Sequence, residues 1–83
     1  MKDEIKNKVR GFLAKNKKIG ELSDGDDLFE KGFVNSLFAL QLIMFLEKEF
    51  KIKIPDKAIN EDNFRSVDAI AVTVSAVVNN ETI

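Results

Sequence analysis

The sequence predicts an all-α fold: a small bundle of three main helices plus a short one, four in all, with a long loop between helices 1 and 2. Three observations carry this prediction. Apolar residues recur at helical spacing in three separate stretches of the chain. The only alternating segment, Lys51-Ile52-Lys53-Ile54-Pro55, has no partner segment with which to pair. The 83 residues, 45% of them hydrophobic and none of them Cys, suffice for one core, so residues 1–83 are expected to form a single domain.

The first helix is expected over about residues 2–16, where Ile5, Val9, Phe12 and Leu13 follow i, i+4, i+7, i+8 among Lys, Glu, Asn and Arg. Lys15, Lys17 and Lys18 stand at its C-terminal end, where cations complement the helix dipole. The stretch from Ile19 to Asn35 is rich in turn formers (Gly20, Ser23, Asp24, Gly25, Asp26, Gly32) but contains Leu22, Leu28, Phe29 and Phe33. A loop this long in a small domain normally has a job, and its apolar residues indicate that it packs down. A short turn at Asp26-Asp27-Leu28-Phe29 is expected to tuck Leu28 and Phe29 inward.

The second helix is expected over Ser36–Phe50. Projected at about 100° per residue, Ala39, Leu42, Ile43, Leu46 and Phe50 share one sector and form a core stripe. Leu37, Gln41, Met44, Phe45 and Lys48 fall opposite, with Phe38 and Leu40 on the flanks. Between Leu37 and Leu46 only Gln41 is polar, whereas a surface helix needs one apolar stripe. The second apolar face therefore marks a partner surface, a buried position or a shelter for an attached group, unless neighbouring loops cover it. Residues 51–55 read as an extended connector whose Ile54 plugs the core. Residues 57–65 read as the short helix, using Ile59 and Phe64. The last helix is expected over about 66–78, with Ser66 as N-cap, Asp68 in the first turn, and Val67, Ile70, Ala71, Val74 and Val78 facing inward. Residues 79–83 should fray.

Composition narrows the function. Without Cys, His, Tyr or Trp the chain has no thiol nucleophile, no imidazole base and no usual zinc or iron ligands apart from carboxylates. No catalysis of its own is expected. It begins with Met1 and charged residues and has no apolar run of about 20 residues, so neither a signal peptide nor a membrane span is expected, and the reading is a cytoplasmic, monomeric protein without membrane contacts.

The net charge of −1 hides an uneven distribution: residues 1–18 carry seven basic and two acidic groups, residues 19–36 one and five, and residues 37–83 five and seven. The basic N-terminal segment lacks interleaved aromatics in an acidic chain, so no nucleic-acid partner is expected. The acidic loop (Glu21, Asp24, Asp26, Asp27, Glu30) either steers a basic partner or is merely solvated.

The loop delivers Ser36 to the start of helix 2. A helix N-terminus favours a phosphate through its unpaired N–H groups and dipole. Five nearby carboxylates disfavour a free anion but not a covalently linked phosphodiester.

Asp27-Leu28-Phe29-Glu30-Lys31-Gly32-Phe33-Val34-Asn35-Ser36-Leu37, followed by Leu42, Leu46-Glu47-Lys48-Glu49-Phe50 and Ile52-Lys53-Ile54-Pro55, resembles the acyl carrier proteins over nearly the whole chain. The resemblance implies that Ser36 is the attachment point of 4'-phosphopantetheine. A phosphopantetheinyl transferase would move that arm from coenzyme A to Ser36 Oγ, releasing adenosine 3',5'-bisphosphate. The arm's thiol would hold an acyl group as a thioester for presentation to acyl-loading, tailoring and synthase enzymes.

The family's usual Asp-Ser-Leu reads Asn35-Ser36-Leu37 here. Asn caps a helix as well as Asp, but the lost charge bears on transferase recognition. Relatives in fatty acid synthesis expose more acid along this helix. Here Leu37, Phe38, Leu40, Gln41, Met44, Phe45 and Lys48, with Asn35, make the expected partner surface more apolar. The run 32–42 resembles stand-alone carriers of polyketide and hybrid polyketide/peptide pathways, which implies an extender-unit cargo. A fatty acid carrier and a D-alanyl or peptidyl carrier are the alternatives within the class. An unmodified helical adaptor is the alternative outside it, and an enzyme using only Asp and Glu ranks last.

Overall fold

The computed structural model describes residues 2–15 and 18–79. Three α-helices, α1 (Lys2–Ala14), α2 (Ser36–Phe50) and α3 (Val67–Val78), are joined by irregular segments that include two single 3-10 turns, Asp56–Ala58 and Asp62–Phe64. No strand occurs among the described residues.

α1 stops two residues short of the expected end: the Lys15 N–H bonds the Phe12 carbonyl at 3.3 Å, a tighter turn that ends the helix. Its last turn consequently carries no basic residue, and Lys17 lies outside the described residues. Ile5, Val9 and Leu13 are fully buried, and α1 packs most extensively on α3, whose Val67, Ile70, Ala71 and Val74 are buried too. Ser66 caps α3 as expected, its Oγ accepting the Ala69 N–H at 3.0 Å. Asn79 closes that helix, its N–H donating to Ser75 O at 3.0 Å, and the fraying expected beyond it falls on 80–83, outside the described residues.

The all-α class is as expected, with three α-helices among the described residues, but two single 3-10 turns stand in place of one continuous short helix over 57–65. Asparagine side chains explain why. Asn60 Oδ1 accepts the Asn63 N–H at 2.9 Å, and Asn63 Nδ2 donates to the Ala58 carbonyl at 2.9 Å. Side-chain bonds of this kind compete with a continuous helical ladder and leave two short turns around 59–61. Ala58 and Phe64 still enter the core. The second turn is tied to α3 by buried Thr73, whose hydroxyl proton is shared between Ala69 O at 2.9 Å and Asn63 O at 3.3 Å.

α2 spans the expected residues and ends on Lys51 in the left-handed region (φ 54), whose N–H bonds the Glu47 carbonyl. The next segment is extended, with Ile54 buried in the core and its N–H held by Glu47 Oε2 at 2.9 Å.

Candidate functional site

The site is built on the N-terminus of α2. Asn35 is extended (φ −126, ψ −179), its carbonyl accepts the Ala39 N–H at 2.8 Å, and its Oδ1 accepts the Phe38 N–H at 2.8 Å. Asn35 is thus the cap and Ser36 the first helical residue. Capping is done by the amide side chain, so the exposed Ser36 hydroxyl is left out of the helix's own bonding.

The loop before it is folded down, not loose. Leu28 is fully buried and Val34 nearly so, while Phe29 and Phe33 are half-buried. The Leu28 carbonyl accepts the N–H groups of Phe33 and Val34 at 2.9 and 3.1 Å, and its own N–H bonds Arg65 O at 2.7 Å. Between them the chain reverses at Gly32, where φ is +79, a conformation that side-chain-bearing residues rarely adopt.

Asp27 organises this turn. Its Oδ1 accepts the N–H groups of Phe29 and Glu30, both at 3.0 Å, and its Oδ2 accepts from Arg65 at 3.0 Å. The Glu30 N–H first, then the Arg65 guanidinium, hold the Asp27 carboxyl below its ordinary value. Arg65 also reaches Asp62 at 2.9 Å, and its pKa is raised by Asp62 first and by Asp27 second.

Most of the acidic loop is therefore engaged internally. Asp24 meets Arg10 at 2.9 Å and Lys6 at 3.7 Å, and its carbonyl accepts the Asp68 N–H at 2.9 Å. Lys6 also meets Asp68 at 2.8 Å, and the bond to Asp68 is the chief reason its ammonium pKa is raised. Asp26 caps Ser23 and faces Lys31. Along α2, Glu47 is likewise used by Ile54, and Glu49 pairs with Lys8 at 3.2 Å.

The faces of α2 sort the expected partner residues into two groups. Leu37, Leu40 and Met44 are exposed (68%, 54% and 67%), and Gln41 and Lys48 are exposed beside them. Phe38 and Phe45 are not on this open face. Both are half-buried against Phe12 of α1, with ring centroids 5.3 and 4.7 Å away, and Lys15 Nζ lies 5.9 Å from the Phe45 centroid. The helical projection put Phe45 opposite the core, but α1 extends the buried surface round to it.

On the other flank of α2 lies a cleft of ≈ 370 Å³ that helical periodicity did not foreshadow. Ser36 lines it, with Ala39, Leu40 and Ile43 of α2 as one wall and Phe29 of the loop as another. Ile59, Asn60, Glu61 and Phe64 form the third wall, in the segment that failed to become a helix. The sequence signal available for it was the polar run Asn60-Glu61-Asp62-Asn63 set between Ile59 and Phe64.

The family described as "Phosphopantetheine attachment site" matches residues 3–74. The chain is 31% identical over 75 residues to an aminoacyl carrier protein of Agrobacterium fabrum, covering 86% of this chain and 89% of that protein. It is 32% identical over 78 residues to a D-alanyl carrier protein of Leuconostoc mesenteroides, covering 90% and 97%. A D-alanyl carrier protein of Leuconostoc citreum is 32% identical over 77 residues, covering 89% and 96%.

Proposed function

Because the chain belongs to the phosphopantetheine-attachment family of carrier proteins and so carries a covalent 4'-phosphopantetheine, we propose that Ser36 is the residue that bears it. The observation that supports this is the placement of Ser36: exposed, first in α2, relieved of capping by Asn35, and beside a cleft. The positive end of α2 favours the negative charge of a phosphodiester at that oxygen. When bound, the arm supplies a thiol that holds an acyl group as a thioester, which the chain has no Cys to do. In this reading the protein is a carrier and not an enzyme, and partner enzymes supply the catalytic groups.

Those partners are a phosphopantetheinyl transferase and the enzymes that load, modify and use the cargo. Leu37, Leu40 and Met44, rimmed by Asn35, Gln41 and Lys48, form the surface they meet, with Phe38 and Phe45 stiffening it from behind. No helix among the described residues is long and apolar enough to cross a membrane.

The cargo best supported is a small aminoacyl group, on the strength of the aminoacyl and D-alanyl carriers to which the chain is similar. A polyketide or hybrid-pathway extender unit is the second reading, favoured by the run 32–42.

Incubation with coenzyme A, Mg²⁺ and a broad-specificity phosphopantetheinyl transferase, read by intact mass, tests the site. The expected result is a gain of one phosphopantetheinyl group by the natural protein and none by Ser36→Ala. A folded natural protein that gains nothing, or a Ser36→Ala variant that gains the group, refutes it. The mass of the protein isolated from its own cells then separates an aminoacyl load from an extender unit.

A further inference from the structure

We propose that the cleft beside Ser36 is a charge-selective resting place for the cargo, in which Glu61 receives the ammonium group of an aminoacyl thioester and repels a carboxylate-bearing one. The inference rests on Ser36 bearing the arm and goes further, because it names a residue that selects the class of cargo.

Three features carry it. The first is the tether: Ser36 is itself a lining residue, so anything on its arm is held at high effective concentration over the cleft. The second is size and polarity. At ≈ 370 Å³ the cleft sits at the low end of the roughly 300–1,000 Å³ typical of ligand sites, and its apolar walls suit an arm ending in a small group.

The third is charge. Among the described residues lining the cleft none is basic, and Glu61 is the one acidic group. Among the described residues the nearest cation to Glu61 is Arg65 at 3.9 Å, and Arg65 is committed more closely to Asp27 at 3.0 Å and Asp62 at 2.9 Å. With its guanidinium held by Asp27 and Asp62, neither of which lines the cleft, Arg65 leaves the Glu61 charge largely unanswered. Asn60 is neutral, and its side-chain Oδ1 already accepts the Asn63 N–H. A cationic cargo is therefore attracted to this wall, a neutral one is indifferent to it, and an anionic extender unit of the malonyl type is repelled.

The test uses the full chain, loaded by a transferase with non-hydrolysable amide-linked pantetheine carrying alanyl, lactyl or malonyl groups. Alanyl and lactyl differ only in an ammonium replaced by a hydroxyl. Backbone amide NMR shifts at Ile59, Asn60, Glu61 and Phe64 are read against the protein bearing the unloaded arm. The alanyl cargo should displace these signals about threefold more than lactyl, the ratio that one ion pair about 6 Å apart supports in a water-like dielectric. Malonyl should leave them in place, and Glu61→Gln should reduce the alanyl displacement to the lactyl level.

Equal displacements by alanyl and lactyl would overturn the proposal. So would an alanyl effect that survives Glu61→Gln, since the ammonium would then be answering the arm's own phosphate. Failure of Ser36 to accept any arm, seen by mass, overturns the attachment reading and this inference with it. An arm and cargo in place over undisturbed cleft signals overturns this inference alone.

Discussion

Replacing Asn35 should show what its side chain contributes as the cap of α2. In Asn35→Ala the Phe38 N–H loses the 2.8 Å bond to Oδ1 at an exposed helix end, where water replaces it in part. Loss of such a cap costs about 0.5–2 kcal/mol, typically about 1. For 83 residues the unfolding entropy near Tm is about 0.17 kcal/mol/K, so about 1 kcal/mol lowers Tm by about 6 °C. Asn35→Asp keeps the acceptor and adds an anion to a first turn that has no acidic residue. That charge should stabilise by about 0.3–1 kcal/mol, or raise Tm by about 2–6 °C, at neutral pH and low salt. The sign with pH follows from the direction of the shift: a carboxylate favoured by the helix end has its pKa lowered on folding. Its contribution is present above the unfolded value, about 3.9, and disappears as the pH falls through the folded one. Thermal unfolding followed by circular dichroism at two pH values and two salt concentrations reads all of this. An Asn35→Ala variant with unchanged Tm, or an Asn35→Asp variant less stable than the natural protein at pH 7 and low salt, would refute the assignment of Asn35 as the cap.

Acid should loosen the Asp27 turn. The Glu30 N–H and Arg65 lower the Asp27 pKa, so the turn's electrostatic support is complete above the ordinary carboxylate value of 3.8 and lost as pH falls through the lower folded value. NMR titration of the Phe29 and Glu30 amides should show it, and amides that move only well above pH 4 would contradict it. On the exposed face of α2, Met44→Lys should change stability by less than about 0.5 kcal/mol in urea, because the side chain is 67% exposed. It should nevertheless slow modification by the transferase severalfold in a mass-resolved time course, and an unchanged rate would remove Met44 from the partner surface.

The parts of this fold that were legible in the sequence are those where a single helical period dominates. α2 begins and ends where the pattern placed it, and Ser66 caps α3 as the residue type suggests, because caps and apolar spacing act locally. The turn that buries Leu28 was legible from two apolar residues set among turn formers. Residues 57–65 were misread because Ile59 and Phe64 have tolerable helical spacing, while the bonds that break the helix come from Asn60 and Asn63 side chains. The cleft was missed for the same reason: its outer wall is that segment, and no periodicity describes an irregular wall. Phe45 was misplaced because a helical wheel treats one helix at a time, and it is Phe12 of another helix that covers it. The reading of Ser36 as an attachment point rests on its neighbours on both sides, since a serine at a helix start is commonplace.

The nearly all-apolar α2 makes sense once its neighbours are assigned. Leu42, Ile43 and Leu46 serve the core, Ala39 and Leu40 join Ile43 in the cleft, and Phe38 and Phe45 rest on Phe12. Among the described residues these contacts leave Leu37, Leu40 and Met44 more than half exposed. Full burial of such side chains contributes about 1.5–3 kcal/mol each, so covering what remains exposed on the three gains about 3–6 kcal/mol in all. Association costs about 4–15 kcal/mol in lost freedom, so this patch cannot hold a partner for long without further contacts. Short encounters suit a carrier that must be modified, loaded and unloaded by different enzymes in turn. On the reading that Ser36 bears the arm, they also leave the thioester unattended between encounters, with the cleft that Ser36 lines within its reach. The same helix thus has an open apolar face on one side and a cleft wall on the other, with Leu40 belonging to both. A partner that covered Leu40 would therefore also touch one edge of the cleft.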